Sequence, residues 1–427
     1  MAGEWRTKTF DQCAELIRSS IQPDEAKGMP YIGLEHIAEG QLRLNTYGSA
    51  DEVTSIKTKF QQGDILFGKL RPYFRKVIIA PFEGVCSTDI WVIRAKNGVD
   101  QRFLFYWMAS KEFIEESTRA SEGTKMPRAQ WEFVSRISKH IPPLPEQRAI
   151  AHILGTLDDK IELNWRMSET LESMARALFQ AWFVDFEPVR AKMEGRWQRG
   201  QSLPSLPAHL YNLFPDRLVD SEFGEIPEGW EVKALDEIAR FVNGLALQKY
   251  PSTNGRSLPV IKIAQLRSGN TIGTDKARAD LGPDYVVNDG DILFSWSGSL
   301  ECVVWAGGRG ALNQHIFKVT SEHYPRWLCY FSIHVHLDEF RHVAAGKATT
   351  MGHIQRHHLS DAKLPVPPPP LLNVMNRYIS PIFEGVWKHR LESHTLAALR
   401  DALLPKLISG ELRVKDAERF LNCRGES

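Results

Sequence analysis

Five histidines crowd into two short stretches, IHVH (residues 333–336) and GHIQRHH (residues 352–358). Imidazoles that converge can ligate zinc, provided other groups orient them. PDEAK (residues 23–27) holds fragments of a nuclease signature, but its acids sit in one loop instead of across a hairpin. AAGKATT (residues 344–350) resembles a phosphate loop faintly. It lacks the first glycine at the right distance, and Ala348 follows Lys347 where a hydroxyl is needed. The chain has no G-x-G-x-x-G loop and no N-P-P-aromatic segment of the kind adenine methyltransferases use. The expectation is a chain with no catalytic residue and no metal or cofactor of its own.

With 427 residues, two or three domains fit. The 43% hydrophobic and 25% charged content belongs to a folded chain and excludes a disordered one. Five scattered cysteines without a C-x-x-C argue against a disulfide framework and a cysteine-rich zinc site. No apolar leader or run of eighteen apolar residues occurs, so a cytoplasmic protein without membrane contact is expected. A net charge of +1 means that any basic binding face is local.

The elements that would position a binding face are two long helices. PPLPEQRAIAHILGTLDDKIELNWRMSETLESMARALF (residues 142–179) opens with prolines suited to a first helical turn. Then Ile150, Leu154, Leu157, Ile161, Asn164, Ser168, Leu171, Ala175, Leu178 and Trp182 recur at spacings of four and three. That is a coiled-coil seam. A second seam reads Met375, Ile379, Ile382, Val386, His389, Ser393, Leu396, Arg400, Leu403 and Leu407, after another proline run. Each member follows its counterpart by 225 residues, as Met375 follows Ile150. Pro381 predicts a kink or a late start. Polar Asn164 and Ser168 are expected to meet His389 and Ser393 and fix register.

The offset extends backwards. QGDILFGK (residues 62–69) matches DGDILFSW (residues 289–296), and CSTDIWVI (residues 86–93) parallels LNQHIFKV (residues 312–319). The chain is therefore a duplication of α+β class. Two mixed α/β domains, residues 1–141 and 222–364, are each followed by a long helix, residues 142–186 and 365–427 with the tail. A Pro-, Gly- and Arg-rich connector, residues 187–221, lies between the copies. Antiparallel pairing of the helices would separate the domains about a pseudo-two-fold axis and let them grip two sites on a long polymer. The duplication also tests the histidines. His334 and His336 fall on Ala109 and Lys111, and His353 and His357 on Arg128 and Glu132, so a metal site common to both copies is excluded.

These residues resemble the specificity subunit of type I restriction–modification systems over essentially the whole chain. The carriers are IPPLPEQRAIAHILGTLDDKIELN, AWFVDFEPV (residues 181–189), GEIPEGWEV (residues 224–232), GDILFS (residues 290–295), NQHIFKV (residues 313–319) and LLPKLISGELRV (residues 403–414). The resemblance implies two target-recognition domains, each reading one half of a split, asymmetric site in double-stranded DNA. It implies an antiparallel coiled coil that sets the spacer and docks two modification (methyltransferase) subunits using S-adenosylmethionine. Restriction subunits would add translocation and cleavage driven by ATP and Mg²⁺. PPPPLLN replaces the P-x-x-E-Q start in the second copy, which leaves the start of that helix open.

Phosphates call for Lys and Arg, and base edges for Arg, Asn, Gln, Ser, Thr or Lys. FGKLRPYFRK (residues 67–76) supplies Lys69, Arg71, Arg75 and Lys76, and GTKMPR adds Lys125 and Arg128. The second copy supplies Ser295, Ser297, Asn313, Gln314, His315, Thr349, Thr350, His353, Gln355 and Arg356. A solvated strand edge would show the same charges. The copies differ most at these places, as two different half-sites require. Competing readings are an enzyme that itself methylates or cuts DNA, a type IIB-like specificity subunit, and a coiled-coil adaptor without DNA contact.

Overall fold

The structure is a computed structural model and describes residues 4–123, 125–204, 206–252, 255–346 and 352–414. The chain divides into two compact units, residues 1–162 with 395–427, and residues 163–394. Each unit holds one mixed α/β domain and one stretch of each long helix.

The first domain is closed by its own ends. Arg6–Thr9 pairs antiparallel with Ser138–Ile141. A four-stranded antiparallel sheet runs in the order Ala14–Ile17, Ile90–Ala95, Ile65–Gly68, Val77–Ile79. A second sheet contains a parallel pair, Pro30–Ile32 beside Gly84–Cys86. Helix α1 (Gln101–Ala109, QRFLFYWMA) is apolar nearly all round, so it must be buried. Its first turn is capped by Asp100, which accepts from the Phe103 amide at 2.9 Å. It packs with Phe10, Phe67 and Phe113 in one aromatic core.

The second domain repeats this plan. Glu231–Ala234 pairs with Lys363–Val366. The four-stranded sheet runs Arg240–Asn243, Ile316–Thr320, Ile292–Ser295, Cys302–Val304. Ser257–Ile261 lies parallel to Gly310–Leu312. The identical strand order carries the duplication from sequence into topology.

The long helices are α2 (Leu144–Phe179) and, after a second apolar helix α3 (Arg326–Ala345), α4 (Pro369–Ser409). They run antiparallel in both units. In the first, Glu146 meets Arg413, just beyond α4, and Asp158 meets Arg400. In the second, Asn164 Nδ2 donates to Glu392 at 2.9 Å and Arg390 pairs with Glu172 at 2.6 Å. Every predicted seam position is buried or half-buried, from Ile150, Leu154, Leu157 and Ile161 through Leu171 and Leu178 to Met375, Ile379, Ile382, Val386, His389, Leu396 and Leu403.

Two expectations about these helices are corrected. Helix α4 does not start late at Pro381 but begins at Pro369 and continues through it. The proline deprives the Arg377 carbonyl of its helical donor. Pro381 is exposed, however, and burial of Ile379 and Phe383 on either side holds the helix. The four polar seam residues also make no bond to one another across the seam among the described residues. Ser168 Oγ donates to the Val386 carbonyl at 3.0 Å, and Ser393 turns back to the His389 carbonyl of its own helix.

The segment expected as a connector is folded. Its helix Glu187–Met193 packs with Trp197, Leu206, Leu210 and Phe214, all buried in the core of the second unit. Strand Leu218–Ser221 forms a hairpin with Gly224–Pro227.

Candidate nucleic-acid interface

In both domains the strand that carries the GDILF motif leads into a loop that is pinned by a distant segment. Leu70 bridges to Arg128 in the first domain and Ser297 to His353 in the second. These are equivalent positions of the duplication, so each domain builds one face from the same two segments.

In the first domain this face brings together Lys69, Arg71, Lys125 and Arg128. The Arg71 amide donates to the Pro127 carbonyl at 2.8 Å, and its guanidinium to the Lys125 carbonyl at 3.2 Å. Arg71 and Arg75 both have φ of 51°, the left-handed region, on either side of the turn Pro72–Phe74. Such backbone costs about 1 kcal/mol or more for a side-chain-bearing residue. Arg128 is held bidentate by Asp89 at 2.8 and 3.3 Å, which raises its pKa. Lys69 has no ion pair among the described residues and borders a cleft of about 360 Å³ with Arg18, Thr58, Thr88 and Gln130. These four neighbours are donors and acceptors suited to base edges. They are isolated in sequence, and only the fold gathers them.

Arg75 and Lys76 belong elsewhere. Arg75 Nε donates to the Ala109 carbonyl at 2.7 Å and its guanidinium pairs with Asp401, while Lys76 Nζ donates to the Leu34 carbonyl at 2.7 Å. Their charge is engaged within the unit, unlike that of Lys69.

In the second domain the face is organised by Trp296, which the sequence reading did not single out. Its Nε1 donates to Asn243 Oδ1 at 2.9 Å and to the Gln314 carbonyl at 3.1 Å. Around it lie Ser297, 3.0 Å from His315 Nδ1, then Gln314, 3.1 Å from His315 Nε2, and the ring of His353. Asn313 is nearly buried and accepts from the His315 amide. The Arg356 guanidinium lies 5.9 Å from the Phe317 ring centre, and Gln355 is exposed. Ser295 is a correction. It is fully buried, and its hydroxyl closes the following loop by donating to the Ser299 carbonyl and accepting from the Glu301 amide. Thr349 and Thr350 lie outside the described residues.

Among the described residues no group of three His, Cys, Asp or Glu side chains could hold a metal, and no helix is long and apolar enough to cross a membrane. His336 Nε2 donates to the Lys363 carbonyl at 3.0 Å. His334 packs 4.3 Å from the Tyr330 ring, with Nε2 buried and without a partner. Burial, and then the Arg176 charge, lower its pKa to about 4 against the opposing Glu172. A histidine neutral when folded is protonated more readily when unfolded, so it removes stability as pH falls from 6.5 towards 4. The melting temperature of a His334→Gln variant should therefore fall less steeply than the wild type's between pH 7 and 4.5. Equal slopes would show that this imidazole does not contribute.

The DNA specificity domain of type I restriction–modification systems matches residues 4–173 and again residues 227–383. The chain belongs to this family. The MjaIX specificity subunit of Methanocaldococcus jannaschii is 28% identical over 413 residues, covering 93% of this chain and 87% of that protein. The HindI specificity subunit of Haemophilus influenzae is 27% identical over 411 residues, covering 83% and 88%. Among solved structures, the type I restriction–modification S subunit of M. genitalium aligns over 95% of this chain and 96% of its own. The TM-score is 0.52 at 14% identity, a likeness of fold. The specificity subunit is thus a two-domain molecule, and its two paired-loop faces are the places where the copies diverge.

Proposed function

We propose that this specificity subunit reads a bipartite, asymmetric site in double-stranded DNA, one half with each domain, and scaffolds the subunits that act on it. The observation that carries this is the equivalent bridge. One fold presents Lys69, Arg71 and Arg128 in the first domain and Trp296, Ser297 and His353 in the second. The same position on the same frame then meets different base sequences, because direct readout follows side-chain chemistry.

The scaffold reading is supported by α2. Leu163, Met167 and Met174 are 52%, 38% and 49% exposed and recur at helical spacing on one face. An apolar stripe on a long charged helix suits a docked partner. In this reading two modification subunits bind S-adenosylmethionine and methylate adenine, and restriction subunits use ATP and Mg²⁺. The chain itself is not an enzyme and acts in the cytoplasm. The test is reconstitution. The purified chain should transfer no methyl group from S-adenosylmethionine, and adding its modification subunit should give N6-methyladenine at one bipartite sequence. Methyl transfer by the lone chain would overturn the non-catalytic role, and methylation without a bipartite pattern would overturn the reading of two half-sites.

A further inference from the structure

Three carboxylates of α2 share one arrangement. Glu146 accepts from Trp5 Nε1 at 3.0 Å and from the Arg413 guanidinium at 2.7 and 2.8 Å. Asp158 accepts from the Tyr106 hydroxyl at 2.6 Å on one oxygen and from Arg400 at 2.7 Å on the other. Glu172 accepts from the Tyr330 hydroxyl at 2.9 Å and from Arg390 at 2.6 Å. The first two triads lie within the first unit and the third within the second. In each, the aromatic belongs to the globular domain, the acid to α2, and the arginine to α4 or the turn after it.

Each triad has at least one member that is buried or half-buried. Arg400 is 1% exposed and Glu146 3%. Burial pulls the Arg400 pKa down, and Asp158 and Asp401 more than restore it. Burial and then Asp158 hold Tyr106 protonated, so its hydroxyl remains a donor. The Arg413 guanidinium also lies 5.1 Å from the Trp5 ring centre, and a Cβ on Gly410 would come within 3.0 Å of that ring. Each carboxylate therefore joins a domain to α2 and to α4 or the turn after it through charge-assisted bonds, which are short and directional.

We infer that these three aromatic–carboxylate–arginine triads are positioning residues that clamp each recognition domain to the helix pair in a single register. They thereby fix the number of base pairs tolerated between the half-sites. This rests on the proposed bipartite reading. Apolar seam contacts alone permit small sliding and rocking, because dispersion has no direction. A hydroxyl bound to one oxygen of a carboxylate whose other oxygen holds an arginine does not.

The test uses the full chain assembled with its modification subunit. Tyr106→Phe and Tyr330→Phe keep the buried ring and remove only the donor. Trp5→Phe removes the donor of the first triad together with part of its ring, and thermal melting verifies that each variant is folded. N6-methyladenine is then mapped on DNA carrying the two half-sites with spacers from two base pairs shorter to two longer. A hydrogen bond to a charged group corresponds to about a factor of ten or more in an equilibrium. Methylation at the altered spacers relative to the native one should rise about tenfold in each variant. A purely structural role would lower all spacers in proportion, and that result, or no change, overturns the proposal. A wild-type complex that methylates no bipartite site overturns both the proposal and the reading beneath it.

Discussion

Replacing residues 1–141 with the matching domain of a relative should change one half of the methylated sequence and leave the other half as it was. The domain is suited to exchange because its first and last strands, Arg6–Thr9 and Ser138–Ile141, pair with each other. Entry and exit are therefore neighbours, and the joint falls at Pro142 and Pro143, before α2 begins. Gln147 sits under the joint. It accepts from the Asp100 amide at 2.9 Å and donates to the Pro142 carbonyl at 2.9 Å, so any incoming domain meets it through main-chain atoms. The aromatic donors are different. Trp5 and Tyr106 are side chains of the exchanged piece, and a graft lacking them leaves Glu146 and Asp158 short of a partner. Mapping methylated adenines in cells carrying the hybrid decides the matter. A change in both halves, or in neither, would refute the assignment of one domain to one half-site.

Lengthening both long helices by four residues, after Glu162 in α2 and after His394 in α4, should lengthen the spacer and preserve both half-sites. Four residues add about 6 Å at 1.5 Å per residue, close to two base pairs at about 3.4 Å each. They overshoot one turn by roughly 40°, which coiled coils absorb by local unwinding. Both helices must grow together. With Asp158–Arg400 on one side of the insertion and Asn164–Glu392 on the other, both pairs survive only if the two helices gain equal length. An insertion in α2 alone would force one set to part. If that set included Arg400, the buried guanidinium would lose Asp158 and keep only Asp401, at a cost of up to about 3–5 kcal/mol. The double insertion is thus expected to assemble and methylate at the longer spacing, and the single insertion to assemble poorly. An active double insertion with an unaltered spacer would show that the distance is set elsewhere.

The helices and the duplication were legible in the sequence because both are periodic. Ile150, Leu154, Leu157 and Ile161 announce a seam by spacing alone, and Met375 onwards repeats it. Pro381 misled because its cost is local, while the burial that outweighs it comes from residues on either side. The interface was legible only in outline. Charge marks Arg75 and Lys76 as strongly as Lys69, yet their donors end on the Ala109 and Leu34 carbonyls, and nothing in a string of residues says which lysine will find a carbonyl. Ser295 looked like a reader because it follows GDILF, but a hydroxyl at the end of a central strand is consumed by its own loop. Trp296 was not among the candidate residues because an indole reads as core until its ring is seen among Ser297, His315 and His353.

The placement of charge in the triads bears on self-association. All three acids lie on α2, and all three arginines lie on α4 or just after it. Two halves alike enough in fold to replace one another are thereby made unlike along their contact. If α2 of one copy paired with α2 of another, Asp158 would face Ala175 and Glu172 would face Trp165, the residues that correspond to Arg400 and Arg390 in the repeat. If α4 paired with α4, Arg400 would face Phe383 with no carboxylate to receive it. Like therefore does not pair with like. In the proposed reading, this placement of charge would disfavour assembly of a self-copied chain into a symmetric reader of palindromes.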